Sequence, residues 1–242
     1  MNKISCIVPA RNEEGHLQNL IDDILQVEFI DQIIIVEGHS TDNTWQTAEK
    51  IQNANPNRIE LLKQPNTGKF DAVRFGAQKA FHDSILIWDA DATVSKSDTE
   101  SMILIHFETR SPVIGNRLIG KMEYGAMRFA NKIGNWIFAI LWIPIHQKLP
   151  FDLLCGTKIF GKKVFLSIDE KFLKLDPFGD FALIANALTY KQPIISFRVN
   201  YASRKYGKTN IQRWRSGIQL LKFTLYIYQL ILRSKFYRKD NF

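Results

Sequence analysis

The chain is expected to fold as an α/β domain around a doubly wound, mostly parallel sheet, and three observations lead there. Before Asp89, short apolar runs alternate four times with stretches of helical spacing, the pattern of βαβ units. The runs are nearly continuous in apolar residues, as parallel strands buried on both faces are. Each run ends in a polar loop, and in a parallel sheet such loops gather on one edge, where open α/β folds bind ligands.

Residues 4–10 form the first strand, which contains Pro9, and 11–14 open a helix whose apolar face is Leu17, Leu20, Ile21, Ile24 and Leu25. Residues 31–36 are the second strand. The polar loop 37–44 supplies Thr41 or Asp42 as N-cap of a helix reaching about Ile51. Residues 58–62 are a third strand, 66–69 a turn and 70–81 a helix; a fourth strand ends at Asp89. Further on, 112–117 read as a strand entering a polar loop, 152–160 as a turn and edge strand, 181–190 as a helix after the polar loop 176–180, and 194–199 as a late strand.

The fourth run ends in Asp89-Ala90-Asp91. On a strand, alternate residues share a face, so both carboxylates are expected to point the same way and to repel. A divalent cation relieves that repulsion, and hard oxygen ligands suit Mg2+ or Mn2+, ions that sit between a carboxylate and substrate phosphates. A solvated turn is the competing reading of Asp-x-Asp alone. Gly68 permits close backbone approach and Lys69 offers a charge for phosphate, although a surface turn explains this pair equally well. Neither a Walker loop nor a Gly-x-Gly-x-x-Gly fingerprint is present.

At 242 residues and 45% hydrophobic content the chain suffices for one large domain or a domain with an appendage. A net charge of +8 predicts acidic partners. Cys6 and Cys155 lack metal-type or Cys-x-x-Cys spacing and read as buried thiols in a reducing compartment. The histidines show no ligand spacing, and residues 1–10 have no leader architecture. Residues 126–150 are rich in large apolar side chains; the run 136–143, ended by Pro144, is too short to span a bilayer. Residues 217–232 are a second apolar segment, interrupted by Gln219, Lys222 and Gln229, in a tail whose lysines and arginines face one acid, Asp240. Both segments read as helices lying on an anionic membrane surface, against the alternative of packing on the sheet. No nucleic-acid recognition motif accompanies the basic tail.

Four motifs now coincide in order: Val8-Pro9-Ala10-Arg11-Asn12-Glu13, Val36 to Thr44, Gly68-Lys69-Phe70-Asp71-Ala72 and Asp89-Ala90-Asp91. Together they resemble the family 2 glycosyltransferases, whose fold is the Rossmann-like GT-A. Gly115-Asn116-Arg117, Asp152 to Lys158 and Arg204 to Asn210 look like the polyprenyl-phosphate (dolichyl-phosphate) mannose synthase branch. The resemblance implies a nucleotide-sugar donor (UDP- or GDP-linked), a divalent metal at Asp89 and Asp91, and inversion at the anomeric carbon. Pro9, Arg11 and Glu13 match positions that hold the nucleoside. Glu37 stands where an aspartate contacting base or ribose is usual, and Phe70 where a second glycine is common. Asp180 matches the acid near the acceptor, while Arg117, Arg128 and Arg204 match basic positions that meet the acceptor phosphate or the leaving diphosphate.

The expected organisation is then a transferase domain over 1–212, with a nucleotide-sugar half (1–111) and an acceptor half (112–212), followed by a basic amphipathic helix and tail (213–242). The expected activity is transfer of a sugar to a polyprenyl-phosphate carrier at the cytoplasmic face of the plasma membrane. The alternative is transfer to a glycan hydroxyl in cell-surface polysaccharide synthesis.

Overall fold

The computed structural model describes residues 2–146, 152–191, 193–204, 206 and 213–233. The first half alternates as its apolar runs dictate: β1 (Ile4–Ala10), α1 (Glu14–Leu25), β2 (Ile30–Glu37), α2 (Thr44–Ala54), β3 (Ile59–Lys63), α3 (Lys69–Lys79) and β4 (Ser84–Ile87). Then follow α4 (Lys96–Thr109), β5 (Val113–Asn116), α5 (Phe129–Leu141), α6 (Ile143–His146) and β6 (Lys158–Gly161). The remainder is α7 (Lys162–Leu166), α8 (Glu170–Leu175), α9 (Asp180–Thr189), β7 (Ile195–Arg198) and α10 (Arg213–Leu232).

The strands form one 7-stranded sheet in the order β3-β2-β1-β4-β6-β5-β7. Pairings among β3, β2, β1 and β4 are parallel, as is β5 with β7, and β6 alone runs against its neighbours. The sheet's centre is dry: Ile7, Val8, Ile33, Ile34, Ile35, Ile85 and Leu86 are fully buried. Such two-sided burial is what an unbroken apolar run requires.

Several boundaries depart from the sequence reading. The 152–160 stretch was expected to supply an edge strand, yet β6 lies inside the sheet between β4 and β5. Its Lys158 is buried rather than turned to solvent. Helix α4 has no counterpart in the sequence reading; Ser95 caps it by accepting from Asp98 N, and Arg110 closes it in the left-handed region at φ 57°. The N-cap of α2 is Asn43, but the Asp42 carboxylate does accept from Thr44 N at 3.0 Å. The apolar run 136–143 that Pro144 ends is not one helix: α5 stops at Leu141, and Pro144 is the second residue of α6, a first-turn place that needs no N–H. Strand β4 stops at Ile87, so Asp89 and Asp91 lie in the turn beyond it and not on one strand face.

The helices of the second half meet in an aromatic cluster. Phe181 of α9 packs edge-on against Trp142 and Phe138 at 5.0 and 5.3 Å, and Phe223 of α10 lies 5.6 Å from Phe172 of α8 and 6.2 Å from Phe181. Trp142 Nε1 donates to Thr224 Oγ1 at 3.0 Å and Tyr228 Oη to the Leu141 carbonyl at 2.5 Å. Helix α10 is therefore docked by one face on the domain. Its outward residues Trp214, Ile218, Leu221, Leu225 and Leu232 are also apolar. Among the described residues no helix is long and apolar enough to cross a membrane.

A buried carboxylate shapes the entry to α9. Asp176 accepts from Phe178 N and Ala182 N, both at 2.9 Å. Gly179 adopts φ +77°, and a side chain there would overlap the Phe70 ring. Burial, and to a lesser degree the charge of Asp180, pushes the Asp176 carboxyl up to about 6.

Two outcomes are expected. Phe223→Ala empties the centre of the aromatic cluster and should cost about 3–5 kcal/mol in denaturant unfolding; a change below about 1 kcal/mol would show that α10 is not held there. Because Asp176 binds its proton more tightly when folded, its contribution is full below the unfolded value near 4 and is lost as pH rises through about 6. The gap corresponds to about 3 kcal/mol of pH-dependent stability, which Asp176→Asn should remove from a stability-versus-pH series.

Candidate active site

The loops after β1, β2 and β3 are locked together by their own polar groups. Gly38 N donates to the Ala10 carbonyl at 2.8 Å, Thr41 N to Asn12 Oδ1 at 2.8 Å, and Gln64 N to the Glu37 carbonyl at 2.9 Å. Gln64 Nε2 reaches on to the Gly68 carbonyl at 2.8 Å, ahead of α3. Pro9, Arg11, Glu13 and Glu37 all lie on this edge. Glu13 and Glu37 are buried there, whereas Arg11 is exposed. Glu37 Oε1 accepts from Ser40 N at 2.5 Å, which holds its carboxylate in the loop.

Beyond β4, Trp88 N still donates to the Ile7 carbonyl, and the chain then turns, with Ala92 N donating to the Asp89 carbonyl at 3.2 Å. The two acids of this turn differ in surroundings. Asp89 Oδ1 pairs with Lys69 Nζ at 2.5 Å. A side chain at Gly156 would overlap Asp89 Oδ2, so only glycine lets that loop approach. Burial by itself would raise the Asp89 carboxyl, but the charges of Lys69, Lys158 and Arg117 hold it below its usual value. Asp91 goes the other way, raised by burial and by the neighbouring Asp89 charge, although Thr93 Oγ1 donates to it at 2.9 Å. Burial would lower Lys69; Asp89, Asp180 and Asp91 together outweigh it and raise the ammonium's affinity for its proton.

The second half brings further cations to the same edge. After β7, Tyr201 bridges to Val94 and Met122, and Ala202 N donates to the Thr93 carbonyl at 2.9 Å. That path lays Arg204 over the Asp-x-Asp turn. Its guanidinium pairs with Glu13, and its Nε stands 3.9 Å from Asp91 Oδ2. Tyr206 N donates to His16 Nε2 at 2.9 Å, while His16 Nδ1 lies 3.0 Å from Glu13. The other residues of the Arg204 to Asn210 motif, and the basic residues past Arg233, lie outside the described residues.

Arg117, next after β5, is buried and grips Asp152 through two bonds, Nε to Oδ2 at 2.5 Å and Nη2 to Oδ1 at 2.9 Å. Its guanidinium also lies 4.9 Å over the Tyr201 ring. Arg128 is exposed just before the first residue of α5. Asp180, the first residue of α9, pairs with Lys158 at 2.6 Å. The geometry thus joins Glu13, Lys69, Asp89, Asp91, Asp180 and Arg204, and adds Lys158, Asp152, Gly156 and His16, to which the sequence reading gave no role. The signal for Lys158 was a lone lysine in the apolar run Thr157-Lys158-Ile159-Phe160. Asp152 could not be paired with Arg117 from sequence, since 35 positions separate them.

The acidic pair fits a hard divalent ion: both ligands are carboxylates, and Asp91 carries a repulsion that a cation relieves. Among the described residues no group of three or more His, Cys, Asp or Glu side chains could hold an ion. Remaining positions would fall to water and substrate phosphates, as is usual for Mg2+.

Comparisons with known proteins agree with this architecture. The model of the family described as Glycosyl transferase family 2 matches residues 5–168. Glycosyltransferase AglJ of Haloferax volcanii is 28% identical over 73% of this chain and 55% of its own length. The UDP-N-acetylglucosamine–dolichyl-phosphate N-acetylglucosaminyltransferase of Methanococcus voltae is 27% identical over 69% of this chain and 73% of its own. The chain therefore spans only about half the length of the first of these relatives. The fold is that of glucosyl-3-phosphoglycerate synthase from Mycobacterium tuberculosis, crystallised with Mn2+, UDP and phosphoglyceric acid; the TM-score is 0.64 at 16% identity, over 93% of this chain and 78% of that one. With a mostly parallel sheet, an acidic turn on its edge and a family match over residues 5–168, the chain belongs to glycosyl transferase family 2 and carries the GT-A fold.

Proposed function

We propose that this protein moves a hexose from a nucleoside-diphosphate sugar to a lipid phosphate, with inversion, at an anionic membrane surface. The observation that carries the reading is the meeting of Asp89 and Asp91 with Lys69, Arg204 and Asp180 on one sheet edge. Pro9, Arg11, Glu13 and Glu37 would hold the nucleoside. Asp91 and Asp89 would hold Mg2+ or Mn2+, whose chemistry is to offset the charge gathering on the departing diphosphate.

The reaction breaks the bond from the anomeric carbon to the diphosphate and forms one to an acceptor oxygen on the opposite face. Lys69, released from Asp89 when phosphate oxygens offer themselves, brings a point charge to the diphosphate. Arg204 brings a planar fork suited to two phosphate oxygens. A phosphate acceptor is already an anion and needs no base, so Asp180 orients the acceptor side. A hydroxyl acceptor would instead give its proton to Asp180. Arg128, exposed just before α5, would meet the acceptor's phosphate, while Arg117 would act through the loop it fixes by way of Asp152.

The lipid acceptor is favoured over a glycan hydroxyl by the two apolar helices. Neither α5 nor α10 contains an acidic residue. Beside the outward apolar row of α10, α5 exposes Phe129, Ile133, Ile137 and Ile140. Arg128, Lys132, Arg215, Lys222 and Arg233 are exposed along them. Apolar residues interleaved with cations and free of acids suit an anionic lipid surface. The Methanococcus voltae relative, named for a dolichyl-phosphate acceptor, supports the same choice.

Turnover of UDP- and GDP-sugars with Mn2+ should rise on adding polyprenyl phosphate; stimulation by a glycan and indifference to the lipid would favour the hydroxyl reading. Asp91→Ala should lower transfer at least ~100-fold with unchanged melting, and a variant keeping most of its turnover would remove the metal-centred mechanism. In sedimentation with vesicles, the protein should pellet with phosphatidylglycerol but not with phosphatidylcholine alone. The Ile137→Glu/Leu225→Glu variant should stay in the supernatant, and equal pelleting would exclude this face as the docking surface.

A further inference from the structure

We infer that Lys158 is a positioning residue of the transfer site: from inside the sheet its ammonium fixes the Asp180 carboxylate and ties the start of α9 to the loop that lies under Asp89. This rests on the reading that Asp180 faces the acceptor.

Strand β6 runs against the rest of the sheet. Because β6 is antiparallel, its first residue lies at the same edge as the last residues of β4 and β5; Lys158 is in register with Ile87 on one side and Ile114 on the other. Ile87 is two residues before Asp89, and Ile114 three before Arg117. The Lys158 side chain is fully buried, at 0% exposure. Its Nζ donates to Asp180 Oδ1 at 2.6 Å and to the Cys155 carbonyl. Cys155 precedes Gly156, the residue whose missing side chain makes room for Asp89. One ammonium, on the strand between β4 and β5, thus holds the start of α9 and the loop under Asp89.

Packing does not explain a charge in this position. Burying an ammonium is costly unless it is paired, and an apolar residue of similar volume often serves stability as well or better. What an apolar residue lacks is direction. With Oδ1 engaged by Lys158, Asp180 keeps a fixed orientation, and Oδ2 accepts no hydrogen bond from the described residues.

The test compares wild type, Lys158→Met, Asp180→Asn and the double variant, by crystal structure and by turnover of the UDP- or GDP-sugar on which wild type acts. Lys158→Met should let the Asp180 carboxylate swing off the sheet edge. Its turnover should fall about 100-fold, the scale of a small misplacement of a reacting group, with donor KM unchanged, and Lys158→Arg should recover part of the loss. The double variant should be no worse than Asp180→Asn alone. An unmoved Asp180, retained turnover, or losses that multiply in the double variant would each overturn the inference. If Lys158→Met does not fold, Lys158→Arg decides: Asp180 must follow the guanidinium and turnover must change at constant KM, and an unchanged site overturns the proposal. Should wild type turn over no nucleotide sugar, the functional reading fails, while the position of Asp180 in the variant structures still decides the role of Lys158.

Discussion

The structure depends on balancing like charges at the edge of a dry sheet. Asp89, Asp91, Asp180, Asp152 and Glu13 meet where the strands end, and they coexist because Lys69, Lys158, Arg117 and Arg204 stand among them. The balance is uneven by design of the fold. Asp89 is surrounded by cations and held ionised, whereas Asp91 is raised by burial and by Asp89. An acidic turn of this kind is poised to take up positive charge, and the proposed nucleoside diphosphate on a divalent ion would complete it.

The same balance links the two halves. The acids proposed to face the donor sit on loops after parallel strands, which hydrogen bonds between neighbouring loops tie together. Asp180 and Arg204, proposed for the acceptor and the leaving diphosphate, reach the edge from α9 and from the segment after β7. The antiparallel strand β6 lies between them with a buried lysine. The aromatic cluster of Trp142, Phe172, Phe181 and Phe223 fixes α9 and α10 to the same body. The proposed membrane face and the proposed acceptor acid are consequently carried by one rigid unit, which suits an acceptor whose phosphate must come to the site from a lipid surface.

Much of this was legible in the residues. Periodicity located the donor-half strands and helices because parallel strands leave unbroken apolar runs and their loops collect polar groups. It failed at α4, where Met102, Ile103, Leu104 and Ile105 are consecutive and make no helical stripe. It misjudged β6 as an edge because a lysine in a strand ordinarily faces water, and the distant Asp180, with the Cys155 carbonyl, makes its burial tolerable. Alternation along a strand put Asp89 and Asp91 on one face for the wrong reason, since both lie past the last ladder pair in a turn. The residues beside them, from Asp152 on Arg117 to Gly156 under Asp89, depend on long-range contacts that no local pattern encodes.

The central claim is that the acidic turn binds a cation together with a nucleoside diphosphate. Calorimetric titration of UDP and of GDP, each with and without Mn2+, addresses it most directly. The account predicts that one nucleotide binds tightly only when Mn2+ is present and that Asp91→Ala abolishes this cation dependence. Binding of both nucleotides that is indifferent to the cation in the wild-type protein would contradict it.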